Sequence, residues 1–181
     1  MRSLTTKKLV YSAICLALAL VLPFLTGQIP EIGKMLCPMH IPVLLCGFLC
    51  GWPWGLAVGF IAPLLRSVTL GMPPLFPTAT AMAFELAAYG ALTGLLYAKL
   101  PKKPVYVYVA LILSMLAGRA VWGLVTFALM GFSTTAFPFS AFVAGAFTNA
   151  IPGIILHIVL IPDIVLALRT PCCAPTPPAI R

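Results

Sequence analysis

Charged residues are scarce in this sequence, and acidic residues are the scarcest of all. Only 8% of the 181 residues are charged and three are Asp or Glu, whereas 62% are hydrophobic. A chain with so few charges cannot keep a globular surface hydrated, which excludes a soluble globule. The composition instead predicts an all-α membrane protein, with residues 1–181 forming a single membrane domain.

Motifs for catalysis and nucleotide hydrolysis are also missing. The sequence contains no G-x-x-x-x-G-K-[ST], and therefore no P-loop with which to use ATP. It has no Ser-His-Asp or H-E-x-x-H arrangement, and its two His residues lie far apart. The net charge of +8 is not gathered into a basic patch with interleaved aromatics, so no nucleic-acid partner is expected. We expect neither an enzyme nor a resident cofactor or metal.

Apolar segments bounded by Gly, Pro or Lys clusters follow one another along the chain. Since a crossing needs roughly 20 apolar residues, they predict a bundle of six transmembrane helices, helices 1 to 6, at about 9–26, 39–51, 53–70, 78–98, 105–130 and 139–168. Helix 2 is too short to cross upright, so it either tilts or lies partly in the interface. A Pro-rich tail, 170–181, follows helix 6, and helix 1 is interpreted as a retained span rather than a signal peptide.

The distribution of Lys and Arg indicates the orientation. If the N-terminus is cytoplasmic and the chain crosses six times, the inner segments hold Arg2, Lys7, Lys8, Lys99, Lys102, Lys103, Arg169 and Arg181. The outer loops hold only Lys34. Positively charged short loops stay in the cytoplasm, so this asymmetry favours cytoplasmic N- and C-termini in a multi-pass plasma-membrane protein.

Three ionised side chains, Arg66, Glu85 and Arg119, fall inside predicted spans and away from their predicted inner ends. Each costs several kcal/mol at bilayer depth unless it is paired or hydrated, so each is a functional candidate. Counting 1.5 Å per residue from the outer helix ends, Arg66 lies ~6 Å deep, Glu85 ~10 Å, and Arg119 and Asn149 ~15 Å. These four are expected to converge on an outward-facing pocket. His157, farther along helix 6, is expected to cap, pair or contact a partner instead.

One positive charge is left over among these residues. Glu85 can neutralise either Arg66 or Arg119, and the sequence leaves both pairings open. The remaining guanidinium favours a ligand with a carboxylate. Trp122 shares a helix face with Arg119, where it either stacks on a ligand or packs against core or lipid. Asn149 either hydrogen-bonds the ligand or bonds between helices.

The segment 35–40 offers a different chemistry. Met35, Cys37, Met39 and His40 are the ligand types that a soft metal such as Cu(I) prefers, so a soft-metal transporter is an alternative function. Pro38 disfavours helix at Cys37, which weakens a simple chelate with His40. The favoured interpretation is a gate loop in which Met35 and Met39 adapt to an organic ligand, with His40 as a substrate-binding residue. A structural subunit whose charges only pair internally is the third hypothesis.

Several stretches together resemble the substrate-binding S component of energy-coupling factor (ECF) transporters, in its vitamin-type branch. The resemblance covers residues 7 to about 169. It is carried by the Lys-rich start, the Ala13-x-x-x-Ala17 pair, HIPVLLCG at 40–47 leading into Gly55-x-x-x-Gly59, and PGIILHIVLIP at 152–162.

This resemblance implies a substrate-capture subunit of an ABC-type importer in a bacterial plasma membrane. Its partners would be a transmembrane scaffold subunit, two cytoplasmic ATPase subunits and membrane lipid, and Ala13 and Ala17 would contact the scaffold. Loop 27–38 would be the gate over a water-soluble vitamin or related micronutrient. A pantothenate-like or folate-like acid is favoured, with a queuosine-precursor or riboflavin-type binder as the alternative.

Overall fold

The computed structural model describes residues 2–25, 38–101, 103–131 and 151–172, and these ranges are helical apart from short connections. In chain order the helices are α1 (Arg2–Leu25), α2 (His40–Cys50), α3 (Trp52–Leu70), α4 (Thr80–Lys99), α5 (Pro104–Gly131) and α6 (Ile151–Cys172). A π-helical turn, Leu75–Ala79, leads into α4. The described ranges contain no strand, which confirms the all-α prediction.

Four of the described helical segments are long and apolar enough to cross a membrane, namely Thr5–Phe24, Trp52–Leu70, Leu75–Lys99 and Pro104–Leu129. Large apolar side chains such as Val68 and Leu124 are exposed on their outer faces, as contact with lipid requires. His40–Cys50 and Gly153–Ala167 are shorter apolar helices. The protein is therefore membrane-embedded, and the predicted count of six spans stays a prediction.

The helix bounds agree best with the sequence where Gly and Pro mark both ends. α3 and α5 begin and end within one residue of the predicted 53–70 and 105–130. α1 begins earlier than predicted, because the flexible Lys stems near its start allow the helix to continue into the interface. α6 continues to Cys172, into the predicted tail, and its predicted beginning at 139 lies outside the described residues.

α2 is a half-length helix buried inside the bundle. Its 11 residues span ~16 Å, about half of the hydrocarbon thickness. All of them except Leu45 and Leu49 are buried, and the helix contacts α1, α3, α4 and α6. α2 is therefore enclosed by other helices and does not lie on the surface of the bundle.

Glycines bring the backbones of α3 and α4 into contact. Gly55 lies against Gly90, where a Cβ on Gly55 would be 2.5 Å from the Gly90 carbonyl oxygen. Gly59 lies against the backbone of Leu86. The two pairs fix an antiparallel register, so Gly55-x-x-x-Gly59 is a small-residue packing motif of the kind that membrane helices use.

α2 packs parallel to α4. Gly47 of α2 lies against Gly90 and Thr93 of α4, and His40 at the start of α2 lies against Glu85. The N-terminus of α2 is therefore level with Glu85, which is already inside α4. As a consequence, α2 lies beside the part of α4 from Glu85 to Thr93.

Replacing Gly90 with Ala tests this register. The added methyl group collides with the backbone of Gly55, and overpacking of this kind costs about 1–3 kcal/mol. We expect Gly90→Ala to lower the unfolding temperature of the detergent-purified protein. Val68→Ile also adds one carbon, but at a position 76% exposed, and should leave that temperature unchanged. Equal stability of the two variants would contradict the glycine contact.

Candidate functional site

A buried polar cluster surrounds Glu85, which is only 2% exposed. Arg119 Nη1 lies 3.1 Å from Glu85 Oε1. The hydroxyl of Tyr89 donates a hydrogen bond of 2.9 Å to the same oxygen, and His40 Nε2 lies 3.7 Å from it. The ring of His157 stacks on that of His40, with the centroids 5.9 Å apart. These five residues are called the Glu85 cluster below.

Four helices contribute to the Glu85 cluster. Glu85 and Tyr89 stand one turn apart on α4, so both face the same neighbours. Arg119 comes from α5 and His157 from α6, while His40 is the first residue of α2. No side chain caps the N-terminus of α2. Because His40, the first residue of α2, lies beside Glu85, the partial positive charge of this N-terminus is close to the carboxylate.

The carboxylate of Glu85 is stabilised because its desolvation is compensated by several groups at once. Removing a charge from water costs several kcal/mol unless an opposite charge and hydrogen bonds replace the lost hydration. Arg119 supplies that charge, and Tyr89 supplies a hydrogen bond. Of the two pairings that the sequence left open, the structure therefore selects Arg119.

Arg66 does not join the Glu85 cluster. Its Nε donates a hydrogen bond of 3.1 Å to the carbonyl oxygen of Met72, and its guanidinium carbon lies 6.0 Å from the ring centroid of Phe24. Arg66 is 8% exposed, and no carboxylate of the described ranges lies within ion-pair distance of it. The convergence expected of Arg66 is thus not observed, because its face of α3 is directed at α1 and the following turn.

Two further candidates occupy neighbouring positions. Met39, directly before α2, is buried in a small apolar cluster with Ala19 of α1 and Ala62 of α3. Trp122 is half-buried on α5, about one turn beyond Arg119. Among the remaining predicted residues, three lie outside the described ranges and are not placed, namely Met35, Cys37 and Asn149.

The soft-metal alternative depends on the segment 35–40. Of this segment, the structure describes only Pro38, Met39 and His40. The imidazole of His40 is directed at Glu85 and His157 rather than at Met39's apolar surroundings. Within the described part of the chain, no three His, Cys, Asp or Glu side chains are grouped so that they could hold a metal ion.

The small-residue pair of α1 lies on its outward face. Ser12, Cys15 and Ala19 turn towards the bundle and are buried, whereas Ala13 and Ala17 are exposed. Large exposed apolar side chains flank the pair on the same surface: Leu9, Val10, Ile14, Leu18 and Val21. The result is a shallow apolar strip of the kind that allows another membrane helix to approach closely.

His157 is the residue whose position differs most from expectation. Its depth along helix 6 predicts a separation from residues near the outer surface, among them His40 at the start of helix 2. Because α2 is only half as long as a span, His40 lies deep as well, and the two rings meet. Tyr89, by contrast, was detectable from the sequence, since it follows Glu85 by one helical turn.

The family of the chain follows from its sequence as a whole. The profile described as "ECF transporter, substrate-specific component" matches residues 7–165. This chain belongs to that family. It is therefore the substrate-binding subunit of an ECF importer, a transport subunit rather than an enzyme. The resemblance to the S component is confirmed, and its vitamin-type branch stays a prediction. No curated protein and no solved structure matches the chain.

The pairing of Glu85 with Arg119 can be tested by a double-mutant cycle. Glu85→Gln leaves a buried guanidinium, and Arg119→Met leaves a buried carboxylate, so each should lose about 3–5 kcal/mol. The double variant removes both charges and should recover most of this loss when thermal unfolding is followed in detergent. As a control, Glu85→Gln and Arg66→Gln should be additive. Additive losses for Glu85 and Arg119 would contradict the pair.

Proposed function

We propose that this subunit captures a water-soluble vitamin or related micronutrient at the outer face of a bacterial plasma membrane. In this proposal it crosses the membrane six times with both termini in the cytoplasm. It delivers its ligand to a transmembrane scaffold subunit driven by two cytoplasmic ATPase subunits. Family membership together with the buried Glu85 cluster carries the proposal.

The ligand-binding site comprises the Glu85 cluster and its surroundings. Ionisable groups at membrane depth are expensive, and they usually serve function when they gather on facing helices. His40, Glu85 and Arg119 satisfy this description, since they come from α2, α4 and α5 and meet at one carboxylate oxygen. Around them, Arg66, Trp122 and Asn149 are proposed to complete the site.

Met39 and Met35 are proposed as gate residues. Met39 immediately precedes His40 and is 4% exposed between α1 and α3, so it covers the approach to the Glu85 cluster from the outer end of α2. A ligand reaches the cluster only after this side chain withdraws. The unbranched thioether is suited to the task because it repacks at low cost.

The substrate is proposed to be a pantothenate-like or folate-like acid. Arg119 is paired with Glu85, so Arg66 carries the remaining guanidinium. Arg66 is therefore the candidate partner for a carboxylate of the ligand. A queuosine precursor or riboflavin-type ligand, recognised through Glu85, is the alternative within the same family.

Native mass spectrometry of the gently extracted protein tests the proposed function. We expect one small organic acid to be retained per chain, because a buried site releases its ligand slowly. Arg119→Met should abolish this retention in the fraction that elutes as folded, monodisperse protein, while Val68→Ile preserves it. Elemental analysis showing stoichiometric copper, nickel or cobalt, with no organic ligand, would contradict the vitamin proposal.

The scaffold contact can be tested on the exposed strip of α1. Replacing Ala13 and Ala17 with Leu fills the space that a partner helix needs, so we expect co-purification with the scaffold and ATPase subunits to be lost. Ligand retention should be unchanged, because both residues face away from the bundle. Ala128→Leu, at an exposed position on α5, is the matched control and should assemble normally. Assembly of the α1 double variant would contradict the proposed interface.

A further inference from the structure

We propose that the ligand is an elongated acid with two unlike ends. Its anionic end binds Arg66 near the outer surface, and its other end, which carries hydroxyl or N–H donors, binds the Glu85 cluster ~9 Å deeper along the helix axes. This inference rests on the proposed function and specifies the substrate class of the same site.

The two arginines differ in how their charge is used. Arg119 is paired with Glu85 at 3.1 Å, so it has an internal counter-charge. Arg66 has carbonyl and aromatic contacts but no carboxylate partner among the described residues. A buried guanidinium in this situation gains most from an anion, and a carboxylate matches its planar donor geometry. The anionic end of the ligand is therefore assigned to Arg66.

The register of α3 against α4 gives the distance between the two ends. Gly59 lies opposite Leu86, and the helices are antiparallel, so Arg66 is level with Ala79. Six residues separate Ala79 from Glu85, which corresponds to ~9 Å of helix axis. A ligand that reaches both must be elongated, and a small acid such as nicotinate is too short.

The side chain of Met39 lies between these levels. Ala62, one turn below Arg66, packs against Met39, and Met39 is followed by His40 of the Glu85 cluster. Met39 thus stands between the two ends of the proposed ligand position. Its withdrawal would join Arg66 and Glu85 into one continuous site, which fits the gate role proposed above.

Hydrogen-bond donors are required at the deep end. Arg119, Tyr89 and His40 all approach the same oxygen of Glu85, Oε1. An ionised carboxylate has about four acceptor positions, so Glu85 has the capacity to accept a further hydrogen bond from a ligand hydroxyl or N–H. His40 Nδ1, in a residue 3% exposed, has no hydrogen-bond partner within the described ranges.

The same charges exclude other ligand classes. A second anion at the deep end would be repelled by Glu85 at short range and in a low dielectric. A cation at the outer end would be repelled by Arg66. A diacid that spans both levels and an organic cation such as thiamine are therefore disfavoured, and an acid with an uncharged polar end remains.

Ligand identity is the first test. The molecule released from the wild-type protein is identified by mass spectrometry, and binding is measured by calorimetry with pantothenate, panthenol, biotin, biotinol, nicotinate and nicotinamide. We expect an elongated acid to bind and its alcohol analogue to bind roughly 10- to 100-fold more weakly, as loss of a charge-assisted hydrogen bond predicts. Retention of a short acid, a cation or an uncharged ring would overturn this inference but leave the capture of a micronutrient intact. Retention of no organic molecule would overturn the proposed function itself.

Variants at Arg66 are the second test. Arg66→Gln should reduce the affinity for the acid to that for its alcohol and leave the affinity for the alcohol unchanged. Ser67→Ala is the matched control. The hydroxyl of Ser67 donates a hydrogen bond of 2.7 Å to the carbonyl oxygen of Pro73, so Ser67 contacts the same turn as Arg66 but carries no charge. Ser67→Ala should retain the full preference for the acid over its alcohol. Arg66→Lys should retain part of this preference, because it keeps the positive charge. If Arg66→Gln keeps the full preference, or if Ser67→Ala loses it as well, Arg66 does not bind the anionic end.

Discussion

The burial of one carboxylate, that of Glu85, is the constraint on which the centre of this bundle depends. In an apolar surrounding the charge must be compensated by protein groups, and here Arg119, Tyr89 and His40 all reach the same oxygen. His40 belongs to α2, Glu85 and Tyr89 to α4, and Arg119 to α5, so these contacts hold the three helices at one height. His157 adds α6 through its ring contact with His40. Substrate recognition is proposed at the same place.

Close helix packing allows these side chains to contact Glu85. Because Gly55, Gly59 and Gly90 have no side chains, α3 and α4 touch through their backbones, and Gly47 lets α2 lie against the same helix. A short α2 then begins level with Glu85 and brings both an imidazole and a helix N-terminus to the carboxylate. A captured ligand is proposed to lie beside this N-terminus of α2, beneath Met39.

The proposed function requires two surfaces that do not interfere with each other. The Glu85 cluster faces the inside of the bundle, whereas Ala13 and Ala17 face outwards from α1. Cys15 and Ala19 on the opposite side of α1 pack into the core, so the same helix supports the interior and presents the exposed strip. The separation explains why enlarging the exposed alanines is predicted to affect assembly and not ligand retention. It is also consistent with membership of the substrate-binding component family.

The sequence by itself determined that the protein is helical and membrane-embedded, and where α3 and α5 begin and end. It also determined that Glu85 and Arg119 are ionisable groups within apolar helices. Composition and Gly-Pro punctuation suffice for this because the bilayer imposes length and polarity on every span. Only the tertiary structure decided that Arg119 pairs with Glu85 while Arg66 does not, and that His157 belongs beside His40. Counting residues gives depth along one helix, but neither its rotation nor its starting height relative to its neighbours. Glycine contacts between helices set both, and they made α2 start deep in the bundle.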